Sequence, residues 1–438
     1  MIGFMNLDLN ISILILMCVV FMIFGLFFSK NNPSLSFYLN AGRSIKSGSL
    51  TASIVASCFG VWILIGPAEA ATWGGIGAVL GYALGQACPY LAMSTFGRRL
   101  RSIMPKGNSL TQFVFARYGL RMMKIVLLLS LFYMFIYLCA EVTAIAQVVN
   151  LITGVSLWKT SLLILITTLI YTLKGGLKIS ILTDKVQFSI IAFFLILVFY
   201  YLLFSGEVNI SLDLIELKAG NLISSKYFYG YTAGITFFIA VFATNLFDQG
   251  VWQRVFAASS NDDLSKSFRN SFFIVLPVIL ILGFCGIVAV SLGQAKDPST
   301  IIFSLLLGSA GTFLSSIILI LALTLVISSM DTLINAISSL LVIESKKFIK
   351  LNSKISYLNF SRMILVLVSI VVFYIASKGL SVLYMFLLAD LLCCAAAVPV
   401  FYGMFRNDIS GKASMIAVLC GLFAGLLIFP DVTFQKSI

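Results

Sequence analysis

Residues 56–67 are ASCFGVWILIGP, a run of small residues, two glycines and a proline inside an apolar stretch at about 49–72. Glycine lets the backbone leave the helical conformation, and proline lacks the amide hydrogen that a continuous helix needs. The run therefore predicts a helix that is interrupted near Phe59–Gly66, with backbone carbonyl groups free to bind a ligand. Interrupted helices of this kind are typical of transport sites in membrane proteins.

The chain around this run is apolar almost throughout. Hydrophobic residues make up 60% of its 438 residues and charged residues 10%, and the mean hydropathy is +1.08. About twelve stretches are long enough to cross a lipid bilayer, which takes roughly 20 residues of helix. Because a backbone in lipid must satisfy its own hydrogen bonds, we predict an all-α, polytopic membrane bundle of about 12 transmembrane helices.

The formal net charge of +13 is the one feature that could suggest nucleic-acid binding. The Lys and Arg residues lie instead in short loops, mostly in alternate ones, and such loops mark the cytoplasmic side of a membrane protein. We therefore predict a multi-pass protein of the plasma (inner) membrane with both termini outside, in contact with lipid and not with nucleic acid. The eight cysteines form no CxxC pair and histidine is absent, so no transition-metal site is indicated.

A second interrupted helix is predicted five crossings further on. Residues 244–250 are TNLFDQG, which places polar side chains and a glycine at the end of an apolar run. Interruptions at corresponding places in two halves of a bundle are expected of an inverted five-plus-five repeat. A simple packing kink is the alternative explanation for either helix, because glycine and proline are common in membrane helices.

Several acidic residues also lie at membrane depth, where a charged side chain is costly unless it faces a partner, a cavity or an ion path. These residues are Glu69, Glu141, Asp184, Asp248, Asp331 and Asp390. Asp331 follows two hydroxyl groups in the segment Ser328–Thr332, and oxygen ligands at this spacing suit an alkali cation. A serine pair can instead bond to the carbonyl groups of its own helix.

Five segments, in this order, are similar to motifs of the sodium/solute symporter family, whose members transport sugars, proline, sialate and urea. They are FYLNAGR at 37–43, the run at 56–67, GGL with T-D-x-x-Q at 175–187, DQGVWQR at 248–254, and the serine-rich segment at 328–339. The resemblance implies an all-α, leucine-transporter-like fold with a 5+5 inverted repeat. It divides the chain into a first transmembrane helix and cytoplasmic loop (1–48), a ten-helix core (49–404, with repeats 49–204 and 229–404) and a C-terminal transmembrane helix (405–438).

The resemblance also implies which residues bind the coupling ion, Na⁺. Carried over by position, its ligands are the carbonyl groups of Ala56, Phe59 and Leu325 and the hydroxyl groups of Ser328 and Ser329. Asp184 matches a carboxylate that is linked to a cation path in some members of the family. A second cation path at Asp184 is therefore a further expectation.

The solute is expected to bind beside the two interruptions. The residues expected there are Cys58, Trp62, Asn245, Asp248 and Gln249. The proline transporters of the family have an acid in place of Cys58, whereas the pattern that begins at Asp248 is similar to the urea and polyamine branch. A carboxylate at Asp248 repels anions, so we expect a neutral, donor-rich or cationic solute; alternatively, Asp248 bonds the backbone or Arg254 and is structural.

The resulting functional hypothesis is a sodium-coupled symporter that imports a small polar organic solute by alternating access. Urea, amino acids, polyamines and sugars are the classes considered. The alternatives are a proton-coupled permease of the same fold and a membrane solute sensor that does not transport. We do not expect an enzyme, because the sequence lacks histidine and any nucleophile–base arrangement.

Overall fold

The computed structural model describes residues 2–28, 35–204, 206, 211–294, 297–307, 312–349 and 356–429. Within these ranges the chain is almost entirely helical and has no strand beyond an isolated bridge between Ile45 and Ala258. This confirms the predicted all-α class, which follows from the need of an apolar chain to pair its backbone groups internally.

Long α-helices make up most of the described chain, and short 3₁₀ helices lie between some of them. The α-helices are α1 (Ile2–Phe28), α2 (Leu35–Asn40), α3 (Ser47–Cys58), α4 (Gly66–Ile103), α5 (Leu110–Tyr118), α6 (Leu120–Thr153), α7 (Leu157–Phe204), α8 (Leu212–Ile223), α9 (Phe228–Asn245), α10 (Gln249–Ala257), α11 (Asn261–Ser291), α12 (Ile301–Leu307), α13 (Thr312–Ser345), α14 (Tyr357–Ala376), α15 (Val382–Phe401) and α16 (Gly411–Leu427). The 3₁₀ helices are Ala41–Arg43, Val61–Leu64, Pro298–Thr300 and Tyr402–Met404.

Eight helices of the described chain are long and apolar enough to cross a membrane, and a bent pair formed by α8 and α9 would make a ninth. The predicted count of about twelve crossings is not confirmed by these helices. Helices α4 and α7 each consist of two helical segments that meet at a glycine with a non-helical conformation, at positions where the sequence suggested separate crossings. These residues are Gly75 (φ 58°) and Gly176 (φ 66°), in a conformation that favours glycine.

Both predicted interruptions are present. Helix α3 ends at Cys58, and a single 3₁₀ turn at Val61–Leu64 separates it from α4, which carries Pro67 in its first turn. Proline is favoured there because the first helical residues have no amide partner in their own helix. Helix α9 ends at Asn245 and α10 begins at Gln249.

Helices α4 and α9, which follow and precede the two interruptions, cross in direct backbone contact. A Cβ atom added at Gly81 would lie 1.9 Å from the carbonyl oxygen of Gly234, and one at Gly77 would lie 2.5 Å from the carbonyl carbon of Gly230. Small residues allow this approach between membrane helices. The crossing therefore holds the two interrupted segments on either side of one central region.

Candidate functional site

The first interruption frees two carbonyl groups from their usual helical donors. In a continuous helix the Gly60 amide would donate to Ala56, but it donates to Cys58 at 3.0 Å. The Ile63 amide would likewise donate to Phe59, but it donates to Gly60 at 3.2 Å. The carbonyl oxygens of Ala56 and Phe59 are thus the acceptors that lose a helical partner, as a ligand role would require.

Helix α13 supplies the two hydroxyl groups of the implied sodium site. Ser328 and Ser329 are both fully buried. The Ser328 hydroxyl donates to Oδ1 of Asp184 at 3.0 Å, and that of Ser329 lies 3.2 Å from the carbonyl oxygen of Leu325. A hydroxyl that donates its proton still has lone pairs to offer, so these contacts leave both oxygens able to accept a hard cation. Oxygens of this type suit sodium rather than a soft metal.

Asp184 lies in a buried polar cluster with Arg254 of α10. The Arg254 Nη2 atom is 2.8 Å from Oδ2 of Asp184, and the two side chains are 1% and 0% exposed. Ser53 of α3 donates to the same carboxylate at 2.5 Å, and Arg254 also donates to Thr332 of α13 at 2.8 Å. Because its members come from α3, α7, α10 and α13, the cluster joins both interrupted helices to the helix that carries the serine pair.

A small cavity of about 30 Å³ lies between the two interruptions, and half of the residues that line it are aromatic. The rings belong to Trp62, Tyr82, Tyr133, Tyr137, Phe237 and Phe386. Trp62 stacks on Tyr82 with ring centroids 5.9 Å apart, and its indole nitrogen donates to the Tyr137 hydroxyl at 2.9 Å. These contacts hold the rings in place at the wall of the cavity.

Polar groups line the other side of the cavity, and one of them is the carboxylate of Asp390. The polar residues are Gln86, Thr244, Asn245 and Asp390. The Thr244 hydroxyl lies 2.6 Å from Oδ1 of Asp390 and 2.7 Å from the carbonyl oxygen of Ala240. Because this hydroxyl has one proton, it can donate to only one of the two acceptors at a time. Neither of the ion pairs found in the described chain includes Asp390, and the cavity lining contains no Lys or Arg. The cavity thus carries a carboxylate without a cationic partner.

Two of the five residues expected to bind the solute line this cavity. They are Trp62, from the 3₁₀ turn after the first interruption, and Asn245, from the end of α9. Asn245 donates to Gln86 at 3.2 Å, so the amides from α4 and α9 meet at the wall. Sequence analysis identified Asp390 as an acid at membrane depth but not as a solute contact. Its position within the apolar run of α15 was the one feature that could have suggested this role.

The other three expected residues lie outside the cavity lining. Cys58 accepts a hydrogen bond from Gln86 Nε2 at 3.1 Å. Asp248 caps α10, with its Oδ1 atom 2.6 Å from the Gly250 amide. Gln249 donates to the carbonyl oxygen of Asn108 at 2.9 Å.

The sequence of the chain is similar to those of several transporters. A spermidine transporter of Candida albicans is 26% identical over 413 residues, which cover 91% of this chain and 76% of the relative. A urea-proton symporter of Oryza sativa subsp. japonica is 26% identical over 167 residues, 38% of this chain and 23% of the relative. Sodium/glucose cotransporter 1 of Mus musculus is 30% identical over 189 residues, 41% of this chain and 28% of the relative.

Two solved structures share the fold. One is a Na⁺-coupled sialic acid symporter in a substrate-bound, outward-open state, with a TM-score of 0.72, 14% identity and coverage of 98% of both chains. The other is a nucleobase-cation-symport-1 family transporter in a closed conformation, with a TM-score of 0.59, 13% identity and coverage of 91% of this chain and 95% of that one. These likenesses show that the helices have the leucine-transporter arrangement that the sequence motifs implied.

The transporters to which the sequence is similar indicate a membrane protein that transports small polar solutes and is not an enzyme. The family model for the sodium:solute symporter family matches residues 37–421, which include both interruptions, the serine pair and Asp390. The chain therefore belongs to the sodium:solute symporter family.

Proposed function

We propose that the chain imports a small organic cation of the amine or polyamine class, driven by a sodium gradient. The observation that carries this proposal is the Asp390 carboxylate in an aromatic cavity that contributes no cation of its own. A buried carboxyl group is stabilised either by a proton or by a positive charge beside it, and here a solute can supply that charge.

The aromatic lining supports the same class of solute. An ammonium group is attracted to the face of an aromatic ring, by about 2 kcal/mol or more when water is excluded. Trp62 and Tyr137 would offer such faces beside the hydroxyl and amide groups of the wall. The spermidine transporter of Candida albicans is a relative along most of the chain, which favours a cationic solute over a sugar.

Residues outside the lining would act by positioning it. Cys58 would orient the Gln86 amide, while Asp248 and Gln249 would hold the start of α10. Trp62 and Asn245 remain the residues from the sequence analysis that we expect to contact the solute directly.

Sodium would couple to the solute by joining α3 to α13. Ala56 and Phe59 would contribute carbonyl oxygens from one side, and Leu325, Ser328 and Ser329 would complete the site from the other. An ion that binds one arrangement of these helices more tightly biases the equilibrium between outward-open and inward-open states. A second cation path at Asp184 would compete with Arg254 for the same carboxylate.

The architecture proposed for this cycle is the one implied by the sequence motifs. Two inverted repeats, 49–204 and 229–404, would move relative to one another around the cavity, with both termini outside. Residues 1–48 and 405–438 would lie beside this core.

Urea is the second candidate solute, and protons are the second candidate coupling ion. The amides of Gln86 and Asn245 could bond a neutral donor-rich molecule, and a urea-proton symporter is among the relatives. A sensor that does not transport is disfavoured, because the spermidine transporter of Candida albicans is similar along most of the chain.

Uptake into proteoliposomes tests the solute and the ion together. Radiolabelled spermidine, urea, an amino acid and glucose are compared with a sodium gradient, a proton gradient and no gradient. We expect spermidine uptake to require sodium, and we expect Asp390→Asn to reduce it at least tenfold, since a hydrogen bond to a charged group contributes about 1.5–3 kcal/mol.

The matched control is Asp262→Asn, which removes an exposed carboxylate in the first turn of α11 and should leave uptake unchanged. Sodium-driven uptake of urea but not of spermidine would show that the solute is a neutral molecule and not an amine. Uptake of an anion that survives Asp390→Asn would contradict the proposed role of this carboxylate.

A further inference from the structure

Glu141 of α6 lies at the first interruption, outside the set of residues expected to bind sodium. Its side chain is fully buried, and its Oε2 atom accepts a hydrogen bond from the Val61 amide at 2.9 Å. Val61 begins the 3₁₀ turn that follows the interruption. The carboxylate therefore contacts the backbone immediately after the carbonyl groups of the implied sodium site.

The second oxygen of this carboxylate, Oε1, has no hydrogen-bond partner within the described part of the chain. It lies against Gly60, where an added Cβ atom would be only 1.9 Å away, so glycine is required for this approach. On α13 the Ser329 hydroxyl is close enough to interact with the same carboxyl group, although its hydrogen bonds go to the carbonyl oxygens of Leu325 and Val326. An orphaned, buried oxygen thus lies between the interruption and the serine pair.

The charge of Glu141 also lacks compensation. The ion pairs found among the described residues are Arg254–Asp184 and Lys347–Glu344, and neither involves this side chain. Removing an isolated carboxylate from water costs several kcal/mol, so a buried carboxyl group is stabilised either by a proton or by a cation nearby. Five neutral oxygens from the implied site would bind sodium without any formal negative charge.

We propose that Oε1 of Glu141 is a direct ligand of the coupling cation, so that the site binds a monovalent ion with one full negative charge. This rests on the proposed sodium site and adds to it a ligand from α6. The cation then links three elements, the interruption after α3, α6 and α13. One carboxylate against one monovalent cation leaves the buried site neutral overall, which favours a monovalent over a divalent ion.

Sodium binding can be measured without transport, as the stabilisation of purified protein in detergent. Melting temperature is recorded against NaCl, with choline chloride keeping the ionic strength constant, because a ligand of the folded state raises stability with its concentration. Glu141→Gln keeps the shape and the acceptor for Val61 but removes the charge. We expect it to need at least tenfold more sodium for half of the shift, with a matching change in sodium-dependent uptake.

Glu344→Gln is the matched control, because Glu344 is also buried but is bonded by Thr111 and Lys347 away from the interruption. Its response to sodium should equal that of the wild type. If Glu141→Gln does not fold, Glu141→Asp gives the decision, since a side chain one methylene shorter draws the charge away from Gly60 and should also weaken the response.

The two proposals fail in different ways. If sodium neither stabilises the wild-type protein nor drives its solute uptake, both sodium coupling and the Glu141 ligand are wrong. If the melting temperature of Glu141→Gln, or of Glu141→Asp in its place, responds to the same sodium concentration as that of the wild type, Glu141 is not a ligand. That result would leave the proposed sodium coupling intact.

Discussion

At the scale of single residues, the buried carboxylates differ in how their charge is compensated. Asp184 has Arg254 at 2.8 Å and hydroxyl donors from two other helices. Asp390 has one shared hydroxyl, and Glu141 has one backbone amide. Asp184 is compensated within the protein, whereas no ion pair among the described residues includes Asp390 or Glu141, and a bound cation can compensate each of them.

The Asp184–Arg254 pair leads to a prediction about stability. Asp184→Asn leaves a buried guanidinium without its partner, and breaking a buried pair from one side costs about 3–5 kcal/mol. We expect a clear fall in the melting temperature of the purified protein. The double variant Asp184→Asn with Arg254→Gln should recover part of that loss, and a double variant less stable than the single one would contradict this explanation.

At the scale of helices, the crossing of α4 and α9 depends on glycine. A Cβ atom at Gly234 would lie 2.1 Å from the carbonyl oxygen of Gly77, which is backbone and cannot turn away. Because α9 ends at the second interruption and α4 begins after the first, this contact sets the distance between the two walls of the cavity.

We therefore predict that Gly234→Ala destabilises the protein and reduces solute uptake, because the two helices must separate. Overpacking of this kind typically costs about 1–3 kcal/mol. The control is Gly48→Ala in the first turn of α3, where an added Cβ atom meets nothing within 4 Å and alanine favours the helix. Equal melting temperatures for the Gly234 variant and the wild type would show that this crossing can relax.

At the scale of the whole molecule, the implied sodium site and the buried polar cluster both join α3 to α13. Ser328 belongs to both, because its hydroxyl donates to Asp184 while its oxygen is an expected ligand of the ion. The cluster also includes Arg254 of α10, so hydrogen bonds and an ion pair connect the ion site to the second interruption.

The double variant Ser328→Ala with Ser329→Ala is expected to lose most of its sodium dependence. Both expected hydroxyl ligands disappear, and the three carbonyl groups with the proposed Glu141 carboxylate cannot replace the hydration shell of the ion. The measurement is the sodium concentration for half-maximal uptake, with Ser339→Ala of the same helix as control, whose hydroxyl bonds the carbonyl oxygen of Ala336. An unchanged sodium requirement in the double variant would refute the assigned site.

The sequence by itself determined the class of protein, because apolar length forces helices in a bilayer and because Gly60, Gly66 and Pro67 favour an interruption. Both interruptions were therefore predictable, as was the family. The number of crossings stays a prediction, because α4 and α7 each contain two helical segments that meet at a glycine.

Only the tertiary structure decided which acidic residue lines the aromatic cavity. Asp248 and Asp390 look alike in the sequence, as acids in or beside apolar runs, yet Asp248 caps α10 whereas Asp390 lines the aromatic cavity. The position of Glu141 against Gly60 likewise joins residues 81 positions apart. The physical reason is that helical periodicity specifies the face of a residue within its own helix, while packing between helices decides what that face contacts.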